Sequence, residues 1–240
     1  MNEIMSILFG LIVTVAPILV IGILGYIIWV VIKNKNGKTK LKLSSRSLLQ
    51  IYLYLISFIT LIVAVIGGAL VMKVATSYIF NIPFSYPLQR PNSYYEEDMK
   101  LDEPTSEDCY VGKPIQFYDS EFCFDTSLRK TELITGITLL ISMTVLFSLH
   151  QYAIHKINQK HEIKNWLEKT YTFLSLIMYS VIGVVTIPLS IYLLTNYLLF
   201  EPNSDMYSTP SAPAMVIGIT ILTIPLWVYF LNRTMRLKEE

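Results

Sequence analysis

Hydrophobic and polar positions alternate along the chain in long blocks rather than in the short repeats of a soluble amphipathic helix. An apolar block of about 20 residues predicts a membrane-spanning helix, because its length matches a hydrocarbon core of ~30 Å. Such blocks predict spans at residues 5–32, 48–72, 132–154, 171–198 and 212–231. The predicted fold class is therefore an all-α integral membrane protein, with five transmembrane helices in a single membrane domain of residues 1–240.

The overall composition agrees with this fold class. Apolar residues make up 53% of the chain and charged residues 15%, whereas soluble domains are about 25% charged. The net charge of +1 gives no bulk attraction to nucleic acid. We therefore expect the lipid bilayer as a partner, with other membrane subunits or further copies of the chain, and no nucleic acid.

The basic residues predict the orientation of the spans. They gather in the first connection, in the third connection and in the tail: Lys33, Lys35, Lys38, Lys40, Lys42, Arg46; Lys156, Lys160, Lys164, Lys169; Arg233, Arg236, Lys238. Five spans place all three segments on one side, and lysine and arginine are retained on the cytoplasmic side. The N-terminus is therefore predicted outside and the C-terminus in the cytoplasm, with the first span as a permanent anchor.

The stretch Ile51–Val71, within the second span, carries a candidate helix-packing face. Ala64 and Gly68 are four residues apart, and Gly67 stands beside them. Small residues let another helix approach closely within lipid, where the hydrophobic effect does not drive helix association. Lys73 follows the span, and we expect its long side chain to reach the outer interface.

The segment 74–130 is predicted to be an extracytoplasmic loop that is aromatic at its start and acidic further on. It contains both cysteines of the chain, Cys109 and Cys123. Two cysteines in one extracytoplasmic segment predict a disulfide, worth about 3 kcal/mol in the chain-entropy model for a ring of ~15 residues. A redox-active pair would more often have the Cys-x-x-Cys spacing, which is missing.

No motif names a reaction. His150 and His155 are five residues apart and do not share a helix face, so we predict no metal site. His150 alone lacks a second membrane histidine for bis-histidine haem, and we predict no cofactor. No phosphate-binding glycine loop or zinc spacing is present. We therefore predict that the protein is not an enzyme and has no catalytic residues.

The spans also suggest an internal repeat. Spans two and three, and then spans four and five, would form two parallel repeats of a helical hairpin after the N-terminal anchor. Tyr52 and Tyr54 near the start of span two correspond to Tyr171 and Phe173 in span four.

A family resemblance rests on two short motifs. The start of span two, IYLYLISF at Ile51–Phe58, resembles the LYLYL-x-SF pattern of an uncharacterised family of bacterial polytopic membrane proteins. That family pairs it with W-x-x-H-W-x-x-x-R at a span end. Here FSLHQYAIHK at Phe147–Lys156 keeps the histidine and lacks both tryptophans. The resemblance implies the architecture only and no activity. We expect the protein to lie in a bacterial cytoplasmic membrane.

Three functions remain open. The first is a structural or accessory subunit of a membrane assembly, with the acidic, aromatic outer loop as its docking surface. The second is a small transporter or oligomeric channel built from duplicated hairpins, which would need a set of hydroxyl side chains to converge: Ser57, Thr60, Ser142, Thr144, Ser175, Ser180, Thr186. The third, a membrane redox protein, has only His150 and one cysteine pair in its favour.

Overall fold

A computed structural model of the protein describes residues 45–88, 112–117, 120–159, 165–200 and 209–239. The chain divides into two compact units, Met1–Leu49 and Gln50–Glu240. Of the first unit, only residues 45–49 are described, and they open a long helix. The predicted span at residues 5–32 and most of its basic connection lie outside the described residues.

Four long helices dominate the described chain, and three short elements accompany them. The elements are α1 (Ser45–Ile79), α2 (Ile82–Ser85), β1 (Lys113–Phe117), β2 (Ser120–Phe124), α3 (Thr126–Gln159), α4 (Asn165–Leu198) and α5 (Ala214–Glu239). Each long helix is long and apolar enough to cross a membrane, which fits an integral membrane protein. The predicted all-α class is confirmed, and these helices coincide with four of the five predicted spans.

The helices run further than the apolar blocks do. α1 continues to Ile79, seven residues beyond the predicted end at residue 72, and α3 begins at Thr126 rather than at residue 132. Asp125 fixes that start, because its Oδ1 accepts a hydrogen bond of 2.8 Å from the backbone N–H of Ser127. Hydrogen bonds from the Ser127 hydroxyl and from its backbone N–H lower the pKa of the Asp125 carboxyl. The connection predicted as residues 74–130 is correspondingly shorter.

That connection also contains a β-hairpin that the hydrophobic pattern did not predict. β1 and β2 pair antiparallel, with Lys113 opposite Phe124 and Phe117 opposite Ser120. Gly112 precedes β1 with a φ of +101°, and a side chain there would collide with the Phe124 carbonyl. Glycine is therefore required where the chain turns into the hairpin.

Two hydrophobic cores lie at different levels of the molecule. The larger one joins all four long helices and includes Leu53, Tyr54, Phe58, Val65, Ile154, Leu167, Tyr171, Tyr179 and Phe230. The smaller one packs the hairpin on the segment after α1 and consists of Tyr86, Leu88, Phe122 and Phe124. We call the end of the helices at the smaller core the hairpin end, and the opposite end, near Lys156, Lys169 and Arg236, the basic end.

Candidate functional site

A charged cluster ties the helices together at the hairpin end. The Nζ of Lys73 on α1 lies 2.7 Å from Glu132 Oε1 on α3. The phenol of Tyr86 donates a 2.9 Å hydrogen bond to the other carboxylate oxygen of Glu132. Lys73 Nζ also stands 4.3 Å from the centre of the Tyr86 ring. We call Lys73, Tyr86 and Glu132 the outer triad.

The outer triad is largely shielded from water. The Lys73 and Glu132 side chains are 15% and 20% exposed, and Tyr86 is buried against the Phe124 ring at 5.2 Å. Burial and the hydrogen bond to the Glu132 carboxylate raise the pKa of the Tyr86 phenol well above its ordinary value. The phenol therefore stays protonated and donating, and the triad fastens the hairpin core to two helices.

Two further polar contacts fix the same end. The hydroxyls of Thr76 on α1 and Ser85 on α2 are 2.9 Å apart and share a hydrogen bond. The backbone N–H of Leu88 donates to Thr209 Oγ1 at 2.7 Å, and the backbone N–H of Thr209 returns a bond of 3.0 Å to the Leu88 carbonyl. The segment before α5 is thereby joined to the segment after α1.

The predicted packing residues lie where α1 meets its neighbours. A Cβ on Gly67 would stand 2.7 Å from the backbone nitrogen of Leu140 on α3, and one on Gly68 would meet Leu222 Cδ1 on α5 at 2.8 Å. Ala64 is buried. Gly136, which no sequence motif singled out, is the counterpart on α3, because a Cβ there would lie 3.0 Å from Leu70 Cβ.

Three polar side chains meet inside the helix bundle, towards the basic end. The amide of Gln151 on α3 donates to Ser57 Oγ on α1 at 2.6 Å and approaches the Tyr171 hydroxyl on α4 at 3.5 Å. Ser57 is completely buried and Tyr171 is 6% exposed. Hydrogen bonds between helices satisfy polar groups that lipid cannot, so this group joins three helices.

One face of α4 carries buried hydroxyls without partners among the described residues. Thr172, Ser175, Tyr179 and Thr186 are separated by three, four and seven residues, which places them on one helix face. Their hydroxyl oxygens are buried and make no hydrogen bond, and the same holds for Thr223 on α5. Unpartnered hydroxyls inside a bundle leave hydrogen-bonding capacity for a ligand or water.

The hydroxyl residues named for a pore converge only in part. Ser57, Thr60 and Ser175 are buried in the bundle, whereas Ser142 and Thr144 lie on the exposed face of α3. Ser180 accepts a hydrogen bond of 2.8 Å from Trp227 Nε1.

The titratable and thiol groups singled out in the sequence have local roles. His150 Nδ1 lies 2.7 Å from the carbonyl of Leu146 on its own helix. In the described part of the chain, no three His, Cys, Asp or Glu residues could together hold a metal ion. Cys123 lies on β2 opposite Pro114 and carries no free thiol. Cys109 lies outside the described residues, so the Cys109–Cys123 disulfide stays a prediction.

A second ion pair connects α4 and α5 at the basic end. Arg233 on α5 donates from Nη2 to Glu168 Oε1 on α4 at 2.6 Å, and from Nη1 to the Tyr229 hydroxyl at 3.0 Å. Glu168 and Arg233 are 65 residues apart in sequence, which is why no local pattern paired them. Lys73 and Glu132 are likewise far apart in sequence, so no local pattern identified Glu132 as the partner of Lys73.

The outer triad could have been anticipated in one respect. A lysine next to an apolar span needs a compensating group, and Glu132 is an acidic residue at the start of the next span. Gln151 and Thr172 carry no comparable signal, because neutral polar residues occur on many membrane helices.

No family model, curated protein or solved structure matches the chain.

Proposed function

We propose that the protein is a non-catalytic structural or accessory subunit of a membrane assembly, docking through its hairpin end. One observation carries the proposal: the described extramembrane part is fastened to the helices by the outer triad, the Thr76–Ser85 bond and the Leu88–Thr209 pair. A surface that is already held in one conformation loses less conformational entropy when it binds a partner. The acidic segment between Leu88 and Gly112 would belong to the same docking surface.

A broad exposed face on α3 is compatible with association within the membrane. Only 6% of its most apolar window is buried inside the protein, against 39% for α1. Large apolar side chains at Ile134, Ile141 and Leu149 are 59–67% exposed. In a bilayer this face meets lipid, another subunit or a second copy.

The proposal includes a location and an orientation. The protein would reside in a bacterial cytoplasmic membrane with the hairpin end outside, because the basic residues gather at the other end. The two hairpins α1–α3 and α4–α5 would be parallel repeats, in keeping with the family that the start of α1 resembles.

Site-directed photo-crosslinking in native membranes tests the docking surface. A photoreactive amino acid replaces Gln116, an exposed residue of β1, and the matched control replaces Val184 on α4, which is 74% exposed. We expect a discrete protein adduct from position 116 and lipid adducts from position 184. Lipid or water adducts alone at position 116, in a protein that inserts normally, would contradict the docking role.

A second candidate function, a small transporter or oligomeric channel, is favoured by the unpartnered hydroxyls on α4. Flux of small neutral polyols from proteoliposomes would test it. Ser175→Ala removes a buried hydroxyl and Ser142→Ala removes an exposed one. A pore predicts that only the first change alters flux, and wild-type vesicles without flux would exclude these solutes as cargo.

A further inference from the structure

A pocket opens beside α4 and α5 at the basic end. Its volume is about 380 Å3, and its lining comprises Lys169, Thr172, Phe173, Thr234 and Leu237. Of these residues Lys169 is the one that carries a formal charge. A ligand that matches the pocket is therefore anionic where it meets Lys169.

The polar wall of the pocket has unused hydrogen-bond donors. Lys169 is exposed and has no ion-pair partner in the described ranges. Thr172 is completely buried, and its Oγ1 makes no hydrogen bond there. Thr234 donates its hydroxyl hydrogen to the Phe230 carbonyl at 2.8 Å. Lys169 and Thr172 are three residues apart on α4 and line the same pocket, and an ammonium together with a hydroxyl donor suits the oxygens of a phosphate group.

The remaining wall is apolar and lies in a membrane helix. Phe173 is 56% exposed, and it belongs to a helix apolar enough to span the bilayer. A free phosphate ion gains nothing from such a wall, whereas an acyl chain beside the headgroup gains by covering it. The combination of cation, hydroxyl and apolar surface therefore favours a lipid over a soluble anion.

A neighbouring pocket shows why the lysine pocket is the better candidate. It measures about 390 Å3 and is lined by Tyr229, Asn232, Arg233 and Arg236. The Arg233 guanidinium is already engaged by Glu168 at 2.6 Å and by Tyr229 at 3.0 Å. Arg236 has no ion-pair partner among the described residues, but this second pocket lacks the apolar wall that Phe173 and Leu237 give the lysine pocket.

We propose that the pocket lined by Lys169 and Thr172 binds the phosphate of an anionic phospholipid, with an acyl chain lying along Phe173. Basic pockets between membrane helices on the cytoplasmic side are known to take such headgroups. The site is independent of any docking at the hairpin end, so either proposal can fail while the other holds.

Native mass spectrometry of the full chain, reconstituted in phosphatidylcholine nanodiscs that contain phosphatidylglycerol, tests the site. We expect wild type to retain one phosphatidylglycerol after the surrounding lipid is stripped. Lys169→Gln should weaken its retention about fivefold, because the phosphate then loses a basic partner worth ~1 kcal/mol within the pocket. A lysine at the same end but outside the pocket should not have this effect on the retained lipid. Thr172→Val keeps nearly the same side-chain shape and removes the donor, so it should weaken retention without lowering the melting temperature.

The matched control is Lys156→Gln, which removes one positive charge from α3 at the same end. Lys156 is exposed and stands 5.9 Å from the ring of Tyr152. Equal losses in Lys156→Gln and Lys169→Gln would mean general surface attraction and would overturn the proposal. Displacement of the lipid by millimolar inorganic phosphate would also overturn it, because the site would then bind free phosphate.

Discussion

Lys73 illustrates how a single charge at the end of an apolar helix determines its surroundings. Removing an ammonium from water is costly unless another group compensates it. Here Glu132 supplies the opposite charge at 2.7 Å and Tyr86 supplies both a ring face and a hydrogen bond to the same carboxylate. Each member of the outer triad thus makes a polar or cation–π contact with the others. Loss of one member leaves the other two without a full set of partners.

The triad predicts a specific response to Tyr86→Phe and to alkaline pH. Loss of the bond to a carboxylate should lower the free energy of unfolding by about 1.5–3 kcal/mol. Since the folded pKa of Tyr86 is raised, its contribution is complete below the unfolded pKa of about 10 and falls as pH rises further. Unfolding in mixed micelles from neutral to alkaline pH should show the difference between wild type and variant shrinking above about pH 10.

Tyr152→Phe is the control for that experiment, because Tyr152 is 65% exposed on α3. It should change neither the stability at neutral pH nor the alkaline dependence. The difference in unfolding free energy between wild type and Tyr86→Phe could instead stay constant up to the most alkaline point. That result would show that the phenol is not held by Glu132 in solution.

At the scale of elements, long helices were predictable and their contacts were not. Lipid requires about 20 apolar residues per span, and this constraint revealed four of the described helices. The ends were missed because α1 continues through Lys73 to Ile79, and because Asp125 caps α3 ahead of its apolar block. The β-hairpin was missed because its stability comes from Phe122 and Phe124 packing on Tyr86 and Leu88, residues distant in sequence.

Close packing of α1 on α3 predicts opposite effects for two glycine substitutions. Gly67→Ala places a methyl group 2.7 Å from the Leu140 nitrogen, so the helices must separate, at a cost of about 1–3 kcal/mol. Gly183→Ala on α4 meets nothing within 4 Å and should stabilise its helix by about 0.5–1 kcal/mol. Thermal unfolding of the two variants in the same detergent measures both. Equal effects of the two substitutions would contradict a tight α1–α3 contact.

At the scale of the whole molecule, the described helices connect two ends of different character. The hairpin end holds the β-hairpin and the outer triad, and the basic end holds Lys156, Lys169 and Arg236. The charge pattern predicted this division, because lysine and arginine mark one side of a membrane. It could not predict the Gln151–Ser57 contact or the pocket beside Thr172, since both depend on how α3, α4 and α5 are rotated against their neighbours.

The orientation proposed for these two ends predicts the labelling of engineered cysteines in intact cells. Gln116→Cys on the hairpin should react with a membrane-impermeant maleimide from outside, and Lys156→Cys should react only after the membrane is permeabilised. Wild type serves as the blank, because the predicted Cys109–Cys123 bridge would leave no thiol to label until a reductant is added. The reverse pattern would invert the orientation, and labelling of wild type without reductant would disprove the bridge. Reaction of both engineered positions from outside would mean that α3 does not cross the membrane, because Gln116 and Lys156 lie on either side of it in the chain.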